Sequence, residues 1–401
     1  MAAFNPRKFT DPDWLRTIAP DRLIAFMSPW SQYLASRGYV LPPPGVSAVD
    51  CTALAEILMA PDQATPTAMV DALYYVHETC SPEDMEELHA KVAARSLAIV
   101  DDPQATPTDY AIEVWLVDPS LVQERHAEAL ARRQQQFEYF AGRGGRRRTF
   151  PAVDDPKRLL IEAAFDAWFM DNKRGNRCTL FIFRHSPSVW LLVRHGKPMR
   201  REASHRDDGS SETEFYRPRQ HDVLIYDETT DEIGVHAETK GERNLYLRTF
   251  GRILFGDPDY FPQVPKYTLA PLVVHGAAAL NCADIDGMEY VKLVEYRQYW
   301  GGEHKENEVR RATDIFAALA VRGATTMMGG TPSAAVFKVK FEDSPKERRV
   351  VIRAPASARY ERNEDSELVE QWLRARGFLL RRPPGEDIDD ADTAPILDGT
   401  R

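Results

Sequence analysis

The stretch Cys178-Thr-Leu-Phe-Ile-Phe-Arg-His-Ser-Pro-Ser-Val-Trp-Leu-Leu-Val-Arg194 decides how the second part of the chain folds. Its two arms, 178–184 and 189–194, are rich in β-branched and aromatic residues, which favour strands. The His-Ser-Pro-Ser segment between the arms is typical of a turn. The stretch therefore predicts an antiparallel β-hairpin.

The chain before about residue 175 has a helical pattern instead. Segment 20–37 carries an apolar stripe with a period near 3.6, and Pro29 predicts a kink in it. Ser81 followed by Pro82 indicates a capped helix start. Segment 119–140 predicts one long helix, with Gln and Arg on its outer face.

A pentapeptide, Gln-Ala-Thr-Pro-Thr, occurs at 63–67 and again at 104–108. The spacing of 41 residues is within the range of helical-hairpin repeats, so two degenerate repeat units are one hypothesis. The alternative is that two helices use the same start signal.

The pattern after residue 194 mixes strands and helices. A second hairpin is predicted from 223–226 and 233–237, around the turn 227–231. The further predicted elements are a helix at 243–255, a strand at 290–296, a helix at 307–322, a hairpin of 335–341 with 349–353, and a helix at 365–376. The predicted fold is multidomain, with an all-α N-terminal domain of helical hairpins followed by an α+β domain with antiparallel hairpins and a C-terminal helix.

The chain length of 401 residues exceeds what one hydrophobic core usually supports. We predict an α-helical, repeat-like interaction domain at 1–142, a basic Gly/Arg linker at 143–156 and an α+β domain at 157–382. The last segment, 383–401, is acidic and contains proline, and we expect it to be a disordered tail.

The composition indicates a cytoplasmic protein. No apolar stretch approaches the roughly 20 residues that a bilayer requires, and the N-terminus lacks the apolar region of a secretory signal. Four scattered cysteines indicate a reducing compartment without a thiolate zinc site. Arg outnumbers Lys by 39 to 12, which is typical of a GC-rich bacterial genome.

Positive charge is concentrated in segment 132–219, although the whole chain has a net charge of −10. This segment has 19 Lys and Arg against 11 Asp and Glu, so it can attract anions such as phosphate. Arginine binds phosphate in a bidentate manner, and an aromatic side chain such as Tyr216 stacks on unpaired bases. The predicted phosphate or nucleic-acid contacts are Arg146, Arg147, Arg148, Arg194, His195, Lys197, Arg200, Arg201, Arg217 and Arg219. The tail at 383–401 has the opposite charge, and we expect it to compete with nucleic acid for this segment.

An acidic motif, Asp222 followed by Glu238-Thr-Lys240, resembles nucleases of the PD-(D/E)xK type. The resemblance implies that Asp222 and Glu238 bind Mg²⁺, which prefers oxygen ligands, and that Lys240 polarises water and phosphate. In the predicted second hairpin, Asp222 lies opposite residue 236. The alternative is local: Thr239-Lys-Gly-Glu242 matches a helix capping box, which makes Glu238 and Lys240 ordinary turn residues.

A second motif, Leu192-Val-Arg-His-Gly196, resembles the histidine phosphatases. The resemblance implies a nucleophilic His195, charge stabilisation by Arg194 and a later histidine at His275. The chain departs from that family because its Arg-His-Gly strand is the second arm of a hairpin. The alternative is an ordinary hairpin in which Gly196 permits a turn.

Taken together, the sequence favours a non-catalytic bacterial accessory or regulatory protein. We expect it to act through protein partners and nucleic acid, as one subunit of a multi-protein system without membrane contact. A Mg²⁺-dependent nuclease and a phosphatase-like phosphohydrolase are the alternatives.

Overall fold

The computed structural model describes residues 7–45, 48–99, 102–145, 147–205, 209–324, 329–361 and 366–380. The chain divides into two compact units, Met1–Leu130 and Ala131–Arg401. Helices lie mostly in the N-terminal half and strands in the C-terminal half, as predicted. Within the ranges described, no helix has both the length and the apolar character needed to cross a membrane.

Helices build the first unit. They are α1 (Pro12–Leu15), α2 (Pro20–Met27), α3 (Ser31–Ser36), α4 (Cys51–Met59), α5 (Thr67–Glu78), α6 (Pro82–Ala94), α7 (Pro107–Val117) and α8 (Pro119–Arg132). The predicted kink is confirmed, because a 3-10 turn at Ser28–Trp30 separates α2 from α3. The predicted cap is also confirmed: Ser81 caps α6 in a reciprocal capping box with Asp84.

The two copies of the pentapeptide start their helices differently. Thr106 caps α7 in a reciprocal box with Asp109. The equivalent Thr65 accepts a hydrogen bond from the Asp62 amide at 2.8 Å, and α5 begins two residues later, at Thr67. The two copies of the pentapeptide therefore have different roles in the local structure.

Antiparallel strands dominate the second unit. They are β1 (Gln136–Ala141), β2 (Thr179–His185), β3 (Ser188–Gly196), β4 (Arg200–His205), β5 (Ser211–Tyr216), β6 (Arg219–Asp227), β7 (Glu232–His236), β8 (Met288–Gly301), β9 (Glu306–Arg311), β10 (Thr331–Phe341), β11 (Arg348–Arg353) and β12 (Ser357–Arg359). Ten of them form one sheet in the order β2-β3-β6-β7-β1-β12-β11-β10-β8-β9, while β4 and β5 form a separate two-stranded ribbon. All three predicted hairpins are confirmed, as β2–β3, β6–β7 and β10–β11.

Helices of the second unit cover both faces of this sheet. They are α9 (Asp155–Asp171), α10 (Lys240–Phe250) with a π-helical turn at Gly251–Phe255, α11 (Ala270–Val274), α12 (Ile315–Val321) and α13 (Ser366–Ala375). Phe165 of α9 and Tyr246 of α10 share a core with Leu191 and Leu224 of the sheet. Trp372 of α13 packs on Phe337 of β10. Directly paired residues share a face of the sheet, and the pairing from β1 through β12 and β11 to β10 places Phe337 on the face opposite this core.

Two helix predictions are wrong. Segment 119–140 is helical only as far as Arg132, and its end forms β1. This strand pairs with β7 on one side and β12 on the other, so distant chain segments override its helical pattern. In segment 307–322 the first residues belong to β9, which pairs with β8, and the helix α12 begins only after Asp314 caps it.

Segment 143–156 was predicted as a basic linker, but its described residues make contacts with the rest of the second unit. The Arg148 amide donates to the Glu228 carbonyl at 2.9 Å. Phe150 is buried in the same core as α9. Arg146 and the predicted tail, 383–401, lie outside the described residues, and the domain boundaries themselves stay predictions.

Candidate functional site

A set of polar side chains is buried where β3, β6 and α10 meet. His195 Nε2 on β3 is 3.1 Å from Asp222 Oδ2 on β6 and 3.7 Å from Glu242 Oε1 on α10. Glu242 also forms an ion pair with Arg174 at 2.5 Å. The side chains of His195, Asp222 and Glu242 are at most 1% exposed, because Phe169 of α9 stacks on the His195 ring at 4.2 Å. We call His195, Asp222, Glu242 and Arg174 the buried network.

The start of α10 explains why Glu242 lies in this network. The Glu242 carboxylate accepts from the Thr239 amide at 2.8 Å, and the Thr239 hydroxyl accepts from the Glu242 amide at 3.2 Å. This is the capping box that the sequence predicted. The capping box thus directs the Glu242 carboxylate into the core, where the distant residue Arg174 forms an ion pair with it.

Hydrogen bonds hold Asp222 and His195 in the network. The Tyr246 hydroxyl donates to Asp222 at 2.7 Å, and burial followed by the charge of Asp222 raises the pKa of Tyr246 well above its ordinary value. His195 Nδ1 lies 2.9 Å from the Gly196 carbonyl oxygen. Both ring nitrogens of His195 therefore face oxygen atoms. Arg174 supplies a positive charge beside the Glu242 carboxylate.

The chemistry of this network does not fit Mg²⁺. One ligand atom each from His195, Asp222 and Glu242 lies within 4.8 Å of the others. However, Mg²⁺ prefers carboxylate oxygens and keeps several waters, whereas these oxygens bind an arginine and a tyrosine hydroxyl in a solvent-excluded core. The carboxylates of Asp222 and Glu242 thus already contact protein side chains in this structure.

The three residues of the nuclease-like motif occupy different environments. Asp222 belongs to the buried network, whereas the Glu238 side chain is half exposed and pairs with Lys197 at 2.7 Å. Lys240 is the first residue of α10. Within the ranges that the structure describes, no hydrogen bond or ion pair joins Asp222 to Glu238 or Lys240. The predicted register is wrong by one residue, because Val223, and not Asp222, lies opposite His236.

The residues of the phosphatase-like motif point in different directions. Arg194 and His195 are consecutive on β3, so they lie on opposite faces of the sheet. The Arg194 guanidinium lies over the Phe181 ring at 5.2 Å, while His195 is buried. His275 is an exposed residue at the end of α11. A phosphate held by Arg194 would therefore lie across the sheet from the nucleophile that the resemblance implies.

The β4–β5 ribbon carries two chemically different faces. Directly paired residues share a face, and the pairs alternate between faces along the ribbon. One face carries Arg200, Glu202 and Glu214. The other face, which we call the ribbon face, consists of Arg201, Ala203, His205, Ser211, Thr213 and Phe215. The ribbon face contains no acid, and its Phe215 is 64% exposed.

Most of the predicted phosphate contacts lie on this ribbon or within a few residues of its ends. The exposed members are Arg200, Arg201, Arg217 and Arg219. Arg217 donates to the Lys173 carbonyl, and Arg201 donates to the Thr213 hydroxyl at 3.4 Å, so neither charge is neutralised by these contacts. Arg147 is exposed elsewhere, while Arg148 is held by the Tyr260 hydroxyl at 2.8 Å.

A histidine beside the network titrates in the acid range. Burial, followed by the charges of Arg219 and Arg194, lowers the pKa of His221 from 6.5 to about 4. As the pH falls, the unfolded chain therefore takes up a proton at His221 before the folded chain does. The free energy of unfolding that the neutral His221 contributes above pH 6.5 is lost as the pH drops towards 4. We expect urea unfolding of the His221→Gln variant to show a smaller loss over this range than wild type. Equal losses in both proteins would contradict the assignment.

Phe215, the aromatic member of the ribbon face, was not predicted from the sequence. The alternation Glu212-Thr-Glu214-Phe-Tyr216 has a strand period and separates acids from Phe215, but the ribbon was not predicted. Arg174 and Tyr246 were not predicted either, because their roles depend on contacts between distant segments. In comparisons with known proteins, no family model matches the chain, and no curated protein matches it either.

Proposed function

We propose that this chain is a non-catalytic bacterial accessory protein that binds single-stranded nucleic acid through the ribbon face. The observation that supports the proposal is the combination of Arg201 with the exposed Phe215 on a face whose described residues include no acid. An arginine attracts phosphate, and an exposed aromatic ring stacks on a base that is not already stacked in a duplex.

The buried network supports the non-catalytic part of the proposal. Its carboxylates are neutralised and hidden, so a substrate phosphate or a hydrated metal ion would have to open the core to reach them. By contrast, Arg200, Arg201 and Arg217 are exposed to solvent, and among the described residues none of the three forms an ion pair with an acid. The surface is thus suited to binding and the core to stability.

The first unit supplies the protein-partner part of the proposal. We assign it as an all-α interaction domain of helical hairpins that docks on another subunit of a multi-protein system. Its described surface includes large apolar side chains, among them Val40 and Met59, which are 82% and 60% exposed. Exposed apolar side chains are common on any protein, so a partner has to be sought experimentally.

A single binding experiment tests the nucleic-acid proposal. Labelled single- and double-stranded DNA and RNA are incubated with the full chain, with Mg²⁺ or EDTA, over a range of salt concentrations. We expect retarded, intact single strands whose binding weakens steeply with salt, because counterions are released. Metal-dependent cleavage that disappears in Lys240→Ala would favour the nuclease alternative, and absence of binding would overturn the proposal.

Arg201 and Arg200 form a matched pair for a sharper test. Arg201→Ala removes a phosphate contact from the ribbon face, so the salt slope of binding should fall by about 0.7 for a single strand. Arg200→Ala removes the neighbouring charge from the opposite, acidic face, and its effect should be smaller. Equal effects of the two substitutions would mean that the ribbon binds through its general charge and not through one face.

A further inference from the structure

A groove of about 810 Å³ separates α9 from α10 and its π-helical turn. Its α9 side is formed by Ala164, Ala167 and Trp168, and its α10 side by Gly241 and Leu245. A Cβ atom on Gly241 would lie 2.9 Å from the Trp168 ring, so the glycine permits the close approach of the two helices. The groove therefore has apolar walls that are partly open to solvent.

Positive charge lies along the α10 side of this groove. Arg248 and Arg252 line it one helical turn apart, and both are exposed. No hydrogen bond or ion pair of either guanidinium occurs within the described ranges. Asn244, one turn earlier, is exposed as well, and among the described residues Asp171 is the one acid in the lining. The groove suits a segment that is acidic and apolar at once.

The end of the described chain is hydrogen-bonded to the loop that leads to this groove. The Leu380 amide donates to the Lys266 carbonyl at 2.9 Å. Pro262, four residues before Lys266, lines a smaller pocket that shares Arg248 and its neighbours with the groove. Four residues span at most about 14 Å, and the twelve residues 381–392 can span about 40 Å. The tail can therefore reach the groove of its own molecule.

We propose that the C-terminal segment 383–401 docks in this groove of the same molecule. Its sequence Glu386-Asp-Ile-Asp-Asp-Ala-Asp392 contains carboxylates that can pair with Arg248 and Arg252, and an apolar Ile388 that suits the apolar walls. This interaction surface does not depend on nucleic-acid binding.

A closer pocket is a poorer match in charge. It adjoins Leu379 and Leu380 and has a volume of about 410 Å³. Its lining includes the acids Asp227, Glu232 and Glu370 and the cations Lys266 and Arg374, and Lys266 already pairs with Glu232 at 2.6 Å. Acids outnumber cations in this lining, whereas cations outnumber acids in the groove, so the groove is favoured for an acidic tail.

A photo-crosslinking experiment on the full chain tests this inference. Ile388 is replaced by the photoreactive residue p-benzoyl-phenylalanine, and crosslinked peptides are identified by mass spectrometry in an equal mixture of light and isotopically heavy protein. We expect crosslinks to peptides that contain Trp168 or Arg248, within one molecule. Crosslinks to the acidic pocket, crosslinks only between copies, or no crosslinks at all would overturn the proposal.

A charge-reversed groove provides the matched control. The double variant Arg248→Glu and Arg252→Glu should lower the crosslink yield about tenfold, because both attractions become repulsions. The double variant Arg349→Glu and Arg359→Glu changes two exposed arginines on β11 and β12 and should leave the yield unchanged. Equal yields in the two double variants would also overturn the proposal. Matching thermal unfolding curves establish that both variants are folded.

Discussion

The Asp222→Ala variant is expected to lose about 3–5 kcal/mol of its free energy of unfolding, because removing one partner leaves buried charges uncompensated. Asp222 accepts hydrogen bonds from His195 and Tyr246 in a core that excludes solvent. Without this carboxylate, His195 and Arg174 share a single acid, Glu242. Urea unfolding, followed by circular dichroism, measures the loss.

Glu238 is the control for this prediction, since it belongs to the same nuclease-like motif. Its carboxylate pairs with Lys197 at the surface, so Glu238→Ala should change the free energy of unfolding by at most about 1 kcal/mol. A stable Asp222→Ala protein would show that the network is not structural. In that case the carboxylate would again be a candidate for chemistry.

This pair of variants also separates the competing functions. A catalytic carboxylate is removed at little cost in stability and at large cost in activity, whereas a structural one has the opposite profile. We expect Asp222 to behave as a structural residue. The Glu238→Ala substitution should change neither the stability nor the activity of the protein.

The Phe215→Ala variant is expected to show the largest loss of nucleic-acid binding. Stacking of one base on an aromatic ring contributes about 1–3 kcal/mol, which corresponds to about 5- to 150-fold in affinity. Phe215 has most of its surface exposed, so its removal should leave the fold intact. Fluorescence anisotropy with a short labelled oligothymidylate measures the affinity.

The neighbouring aromatic residue is the control. Tyr216 lies on the opposite face of the ribbon, and its hydroxyl donates to Glu202 at 2.8 Å. Tyr216→Ala should therefore weaken binding much less than Phe215→Ala. If Phe215→Ala binds like wild type while binding still depends on salt, the contact is electrostatic only and the stacking role is wrong.

Local sequence signals, such as turn residues and capping boxes, were sufficient to predict much of the fold. The alternating arms around residues 186 and 229 predicted the hairpins β2–β3 and β6–β7, because side-chain period and turn residues act over short distances. The capping box of Thr239 and Glu242 was likewise visible in the sequence. The β1 strand was not predictable in this way, since its conformation depends on pairing with β7 and β12 from far along the chain.

The same division applies to the candidate site. The excess positive charge of segment 132–219, the capping of α10 and the positions of His195 and Asp222 on two consecutive hairpins could all be read from the residues alone. The packing of the folded chain was needed to show that His195 and Asp222 face inward onto Glu242 and that Phe215 faces outward beside Arg201. The physical reason is strand register: a shift of one residue moves a side chain to the other face, and register is set by pairing partners that lie outside the local sequence.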